Sequence, residues 1–432
     1  MSTSATRRDF LKTSAAVTAA ALVNLQVSQR AHAAGSDIIK IGMVGCGGRC
    51  PGAAINSMSV DKGVRLVAMC DIVPARVQAQ RASLKQQKPD QVMVDDDHCF
   101  DGFDGYKKVI DSCDVVLIAN AAKFHPFHAK AAIEAGKHVF VEKPHAIDPY
   151  GIKMLNAAAA LAKEKKLGLA SGLHSRYDPR YIEAIKRIHD GQIGEIISIE
   201  ENFLRSPYQL YQRQPGMGEI QYQCSNQYHF VWLSGDDVPQ SLVHNMDRAT
   251  WALKEQPPVK CHGMGGRSTS IGEVYGNVFD HHGVVYEYAN GVRVYAFCRT
   301  IDGCYGNADS IVLGSKGQCY VTHGRIVGQT PWVYKGEDAN PYDIEHAVLL
   351  KSIREGNPVN NGDYMARSTL VTIMGQLSCY TGQEMTWDRV VKSDFNYAPK
   401  PEDCTFEMEA PVKPGADKVY PVFATPGRTK LL

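Results

Sequence analysis

Two side chains in this chain could move a proton to or from a substrate. Lys143 follows the apolar run His138–Val141 within Glu142-Lys143-Pro144, and His244 lies inside the apolar run from Leu242 to Met246. Taking a hydride from a secondary alcohol requires a base for the hydroxyl proton. A lysine stripped of water can do this near neutral pH, and histidine titrates there unaided. Gln240 lies four residues before His244, one helical turn away. Glutamine can neither accept a proton nor pair with an imidazolium. Asp236 and Asp237 are close in sequence but out of phase with His244.

The elements around these residues read as alternating strands and helices. An apolar run, Ile38–Val44, ends at Gly45-Cys46-Gly47-Gly48-Arg49, and a second run, Val64–Cys70, ends at Asp71. Such runs suit parallel strands buried on both faces. A glycine turn after the first strand lets backbone amides approach a pyrophosphate, and an acid ending the second accepts hydrogen bonds from ribose hydroxyls. Asp71 would repel a 2′-phosphate and no arginine follows it directly, so NAD is expected rather than NADP. Cys50 stands where the third glycine of such a loop belongs, and Gly48 is expected to take over part of the close packing. A strand Asp114–Asn120, a helix Phe127–Ala135 and a strand His138–Val141 continue the pattern, which implies a right-handed parallel sheet. Lys143 then lies at the carboxyl edge of the sheet, where ligands of such sheets bind.

From Gly136 to Pro144 the chain resembles the Gfo/Idh/MocA family of sugar and cyclitol oxidoreductases. The resemblance extends over His125 before Ala131–Gly136, Gly191-Gln192-Ile193-Gly194, His244–Asp247 and Tyr380-Thr381-Gly382-Gln383. It implies an N-terminal Rossmann NAD-binding domain and a C-terminal α/β domain with a large, mainly antiparallel open sheet. Such sheets often support homo-oligomers, so a dimer or tetramer is expected. The resemblance puts Lys143 in contact with substrate and cofactor and His244 across from the nicotinamide. The expected cofactor contacts are Gly45, Gly47, Gly48, Arg49, Asp71, Asn120, His125, Glu142 and Lys143. Many dehydrogenases of the family carry an aspartate where this chain has Gln240. Arg176, Tyr177 and Gln240 are the expected substrate contacts. Arg205, Tyr208, Tyr211 and Arg213 belong either to that cleft or to a solvated loop or subunit contact. Aromatic rings and planar donors suit a polyhydroxylated ligand.

The remainder of the sequence sets the context. Arg7-Arg8 precedes the apolar run Ala15–Leu25 and the small-residue pattern Ala31-His32-Ala33, a twin-arginine export signal expected to be cut before Ala34. The run is too short to anchor the protein in a bilayer. Domains are therefore expected at 1–33 (signal), 34–160 (Rossmann) and 161–432 (substrate and oligomerisation). The twin-arginine route carries folded proteins, and the periplasm has no NAD pool. The cofactor is thus expected to load in the cytoplasm, to stay bound and to be regenerated in place.

The 432 residues are 44% apolar and 22% charged, with a formal charge of +1. The signal contributes +3 of this through Arg7, Arg8, Lys12 and Arg30 against Asp9, which leaves about −2 and no basic field for nucleic acid. Most of the twelve cysteines are expected as buried thiols, and neither Asp280-His281-His282 nor Asp95–His98 is expected to hold a metal.

In the second half, Val284–Phe297 turns at Asn290-Gly291 as a hairpin and Ile311–Val321 turns at Gly314–Gly317. Helical patterns follow at Ile344–Glu355 and Arg367–Ser378, and Ala398–Leu432 reads as a surface arm.

Three activities fit these residues. The first is an oxidoreductase with tightly bound NAD acting on a secondary alcohol of a sugar, sugar derivative or cyclitol. The second is a redox-neutral glycosidase, as known among exported relatives, which oxidises a ring carbon, eliminates across the adjacent C–H and returns the hydride. The third is a non-catalytic NAD-dependent sugar-binding protein. Lys143 and His244 argue against the third, export and Gln240 favour the second, and the resemblance as a whole favours the first.

Overall fold

The computed structural model describes residues 38–432, so the export signal and its cleavage pattern lie outside the described residues. The first sheet has six parallel strands: β1 (Ile39–Val44), β2 (Val64–Asp71), β3 (Cys99–Asp101), β4 (Val115–Ile118), β5 (His138–Val141) and β6 (Leu169–Ser171). Their spatial order is β3-β2-β1-β4-β5-β6. The order reverses between β1 and β4, and that crevice at the carboxyl ends is where a dinucleotide lies in such sheets. Helices α1 (Arg49–Val60), α2 (Pro74–Gln87), α3 (Gly105–Ser112), α4 (His125–Glu134) and α5 (Pro149–Glu164) make the connections. The strands are apolar because helices cover both faces, and β4 is buried at every position.

The last strand of this sheet follows residue 160, the expected domain boundary, by nine residues. That position falls inside α5, which leads into β6, and β6 completes the parallel sheet beside β5.

After α6 (Pro179–His189) the chain builds a nine-stranded sheet. In sequence its strands are β7 (Ile196–Arg205), β8 (Lys260–Gly266), β9 (His281–Glu287), β10 (Arg293–Thr300), β11 (Ser310–Gly314), β12 (Gly317–Tyr320), β13 (Arg325–Gly328), β14 (Trp332–Val333) and β15 (Met385–Thr386). All neighbours are antiparallel except β7 and β10. The two hairpins turn where the sequence indicates, with Arg293 opposite Glu287 and Gly317 opposite Gly314. In β10, Val294, Ala296 and Cys298 are buried while Tyr295 and Phe297 face outward, the period of two expected of a sheet covered on one side.

Three further helices matter for the site: α7 (Val243–Ala252), α8 (Pro341–Arg354) and α9 (Gly362–Thr381). α7 and α9 lie against the second sheet, whereas α8 packs on α1 of the first and α9 also on α5. The C-terminal half thus sends side chains into the mouth of the first sheet. All cysteines except Cys99 and Cys304 are buried, and none is bridged. Among the described residues no helix is long and apolar enough to cross a membrane.

Candidate functional site

The crevice begins at the glycine loop. Gly45 has φ = +105°, and a Cβ there would lie 2.9 Å from the Asn120 amide nitrogen, so both conformation and space require glycine. Gly47 and Gly48 instead face open space. The close helix–strand packing expected of Gly48 falls to Cys50, fully buried with its thiol 3.4 Å from the Leu117 carbonyl. The amides at the α1 N-terminus and the room above Gly47 and Gly48 fit a pyrophosphate. Asp71 closes the far wall: Oδ2 accepts from the Cys46 amide at 2.7 Å and Oδ1 from the Val73 amide at 2.9 Å. Arg76, in the first turn of α2, returns to within 4.0 Å of this carboxylate. Across the crevice the Asn120 side-chain carbonyl is buried without a protein partner. Together the open glycines, the acid and this orphaned acceptor are the features a nicotinamide dinucleotide requires.

Arg49 reaches across this mouth. Its Nε lies 2.5 Å from Glu142 Oε1, its Nη2 3.3 Å from Glu345 Oε1, and its guanidinium 4.4 Å above the Tyr342 ring. The guanidinium is therefore engaged by protein carboxylates in this structure. Burial, reinforced by Glu142, raises the Glu345 carboxyl well above its usual range, against the pull of Arg49. Glu142 also accepts from the Lys143 amide at 3.0 Å, which fixes the strand end that carries the lysine.

His125 departs from expectation. It is buried, with Nδ1 2.7 Å from the Pro144 carbonyl and Nε2 3.0 Å from the Asn120 carbonyl. The neutral ring donates to one of these carbonyls and lies against the other, so His125 ties the β4 and β5 loops together.

Lys143 and His244 meet through the turn before α7. The Lys143 ammonium donates to the Gln240 backbone carbonyl at 2.9 Å. Gln240 lies in a π-helical turn, Val238–Leu242, that runs into α7, and its side-chain Oε1 is buried without a partner. Burial pushes His244 well below the usual histidine value, and Lys143 adds to the shift, so the imidazole rests neutral with its lone pair free. Neither nearby acid serves it. Asp236 accepts from Tyr380 at 2.5 Å and from the Phe279 amide at 2.9 Å, and Asp237 pairs with Arg205 at 2.6 Å.

The other expected substrate contacts are consumed within the protein. Arg176 is clamped by Asp247 at 2.7 Å and Glu255 at 2.6 Å, with Trp251 and Tyr364 against its guanidinium. A guanidinium this fully paired supports the fold and is not open to a ligand. Tyr177 donates to Asn361 Oδ1 at 3.1 Å. Arg205 stacks on Tyr208 at 3.6 Å, Arg213 pairs with Glu219 and Glu273, and the Tyr211 hydroxyl donates to Gln209. Asp280 gathers the amides of Ser268, Thr269 and Ser270, an anchor for that loop. Among the described residues no group of three or more His, Cys, Asp or Glu is arranged for a metal.

Sequence reasoning missed His174, Tyr342 and Glu345. His174 follows β6 and lies two residues before Arg176, so proximity to the sheet edge was a usable signal. Nothing local marks Tyr342 and Glu345, because only the packing of α8 on α1 brings them to the site.

Residues 39–172 match the Gfo/Idh/MocA model, described as an oxidoreductase family with an NAD-binding Rossmann fold, and residues 4–23 match the twin-arginine translocation signal. The first stretch is thus an NAD-binding Rossmann domain of that family, and the second directs export by the twin-arginine pathway. The chain is 36% identical over 149 residues to a glycosyl hydrolase family 109 protein of Solibacter usitatus, covering 32% of this chain and 33% of that one. It is 29% identical over 146 residues to an inositol 2-dehydrogenase/D-chiro-inositol 3-dehydrogenase of Halalkalibacterium halodurans, covering 34% and 36%. The matched stretch therefore spans about a third of these relatives. The crystal structure of an aldose-aldose oxidoreductase from Caulobacter crescentus, complexed with glycerol, shares the fold with a TM-score of 0.63, 18% identity, and coverage of 81% of this chain and 99% of that one.

Proposed function

We propose that this is an exported oxidoreductase with tightly held NAD that acts on a secondary alcohol of a sugar, sugar derivative or cyclitol. The observation that carries the reading is the 2.9 Å bond from Lys143 to the Gln240 carbonyl, which ties the lysine at the β5 edge to the turn that leads into α7, the helix carrying His244. Bound NAD supplies the hydride acceptor. The glycine loop and Asp71 would hold the dinucleotide, and the unpartnered Asn120 Oδ1 would be free to accept from it. Lys143 donates to the substrate oxygen, and neutral His244 takes the hydroxyl proton. The match to an inositol dehydrogenase supports the cyclitol or sugar class. The outward apolar residues of the second sheet, Tyr295 and Phe297, suit a homo-oligomer. The test is to purify the exported protein, dialyse it and offer a panel of sugars and cyclitols while following nicotinamide absorbance. Reduction of co-purified NAD by one substrate class is expected. A folded protein that arrives empty and works only with added NAD would refute tight retention.

A second reading, a redox-neutral glycosidase, is favoured by Gln240 in place of an acid and by the match to glycosyl hydrolase family 109. It requires steady cleavage of an aryl glycoside with no second substrate and solvent deuterium at the carbon beside the oxidised one. An oxidoreductase leaves the glycosidic bond intact and stalls after one reduction until an acceptor is supplied.

A further inference from the structure

His244 has no carboxylate to work with, yet it is not alone. The His174 ring lies 5.0 Å from its ring, centroid to centroid and inclined at 61°. Nδ1 of each ring is buried without a protein partner. Both residues are only half-buried, so they border the cleft and are not sealed in the core. The other face of His174 packs on Tyr342 at 4.4 Å, and Tyr342 in turn lies under Arg49. A contiguous stack thus runs from the glycine loop to His244.

We propose that His174 is the second imidazole of the proton-handling site and shares with His244 the proton taken from the substrate hydroxyl. This role rests on the assignment of His244 above. The step asked of His174 is a proton transfer alone: an N–H bond breaks on one ring as one forms on the other, relayed by one water between them. No bond to carbon changes there and no electrons are transferred. Two imidazoles this close cannot both be cations, so the pair takes up at most one added proton and titrates as a unit.

The surroundings keep the pair neutral at rest. The charged groups facing it are Lys143 from the end of β5, Arg248 from α7 and Arg49 from α1, with His145 beside His244. Tyr342 from α8 is the remaining titratable neighbour of His174. The carboxylates of Glu142 and Glu345 are turned to Arg49. Burial brings His174 down to about 3, with Arg248, Arg49 and Lys143 adding to the shift, so it rests neutral. His174 thereby gives His244 a neighbouring proton acceptor that carries no resting charge, from a different element than residue 240.

The test compares holoprotein with His174→Phe, which keeps a ring against Tyr342, and His174→Gln, which keeps polarity but cannot take the proton. In both, kcat for substrate-driven reduction of bound NAD should fall about 10- to 100-fold with little change in KM. The acid limb of the pH profile should move down by roughly half a unit or more, because the shared proton loses one holder. The nitrogen-15 imidazole spectrum of His244, recorded near pH 7 without substrate, should also change in both variants. An unchanged pH limb and unchanged His244 spectrum in folded, NAD-loaded variants would overturn the proposal whatever the rate. Full turnover in His244→Ala would instead sink the assignment of His244 and this proposal with it, so the two failures are distinct.

Discussion

Lys143 is held by a backbone carbonyl, not a carboxylate, and His244 is held by no hydrogen bond at Nδ1 at all. Two consequences follow at the scale of single residues. Lys143→Ala and His244→Ala should each lower turnover roughly 10²- to 10⁴-fold, the usual span for a proton-transfer group, with NAD still bound. Stoichiometric NAD in the inactive variants, read from absorbance after dialysis, would show that the loss is chemical. Gln240→Asp probes the missing acid directly. A carboxylate one turn before His244 favours the imidazolium, so the acid limb of activity should move to higher pH. Gain of simple alcohol oxidation with added NAD would mark Gln240 as the point of divergence from ordinary dehydrogenases. A silent substitution would show that residue 240 acts only through its backbone carbonyl.

At the scale of elements, the decisive contact is between strand ends. Gly172, just past β6, leaves room for Glu142, and a Cβ there would lie 2.8 Å from the Glu142 carboxyl carbon. Gly172→Ala should therefore push Glu142 away from Arg49 and cost about 1–3 kcal/mol, the usual price of overpacking a filled site. Thermal melts measure the loss, and Arg49→Ala should make it smaller because the pair is then already broken. How much of this was legible in the sequence follows from the kind of interaction involved. β1, β2, β4 and β5 were readable because strands buried on both faces are written as continuous apolar runs. The hairpin at Asn290-Gly291 was readable because the turn demands those residues. β6 was missed as part of the first sheet: three residues, Leu169-Ala170-Ser171, carry no period. Arg176 was misplaced because its sequence shows a cation near the cleft but not the two carboxylates, from α7 and the turn after it, that neutralise it. Tyr342 and Glu345 reach the site only through the packing of α8 on α1, a contact between residues nearly three hundred positions apart.

For the whole molecule, the burial of neutral imidazoles sets the response to acid. His128, His174 and His346 are pushed down to about 3 and His229 to about 4, burial being the largest cause in each case. Between those values and the ordinary 6.5 the unfolded chain binds protons that the native protein does not, so stability falls as pH falls through this window. Each such histidine steepens the decline by up to about 1.4 kcal/mol per pH unit. His346→Gln should flatten it when melting is compared at pH values above and below about 6, and an unchanged slope would show that His346 does not titrate on unfolding.

The C-terminal arm acts at the same scale, through cofactor retention. Residues 396–432 cross from the first sheet to the second half: the buried Lys123 ammonium donates to the Tyr397 carbonyl at 2.6 Å, Gln223 to the Val412 carbonyl at 2.7 Å, and Tyr420 to Glu219 at 2.5 Å. Between these ties Phe406 packs on Phe103 with ring centroids 5.1 Å apart. Phe103, Cys224 and Gln227 line the same crevice as Asp71. The arm therefore packs on Phe103 of the crevice lining and is tied to the helix that carries Cys224. Phe406→Ala leaves every polar tie intact and removes only the apolar contact, worth about 1–2 kcal/mol for a half-exposed ring. NAD should leave such a protein roughly 5- to 30-fold faster in dialysis, with the rate of the first substrate-driven reduction unchanged. Equal retention in Phe406→Ala and in a second variant, Tyr420→Phe, would show that the arm stabilises the fold and leaves the cofactor to the glycine loop and Asp71 alone.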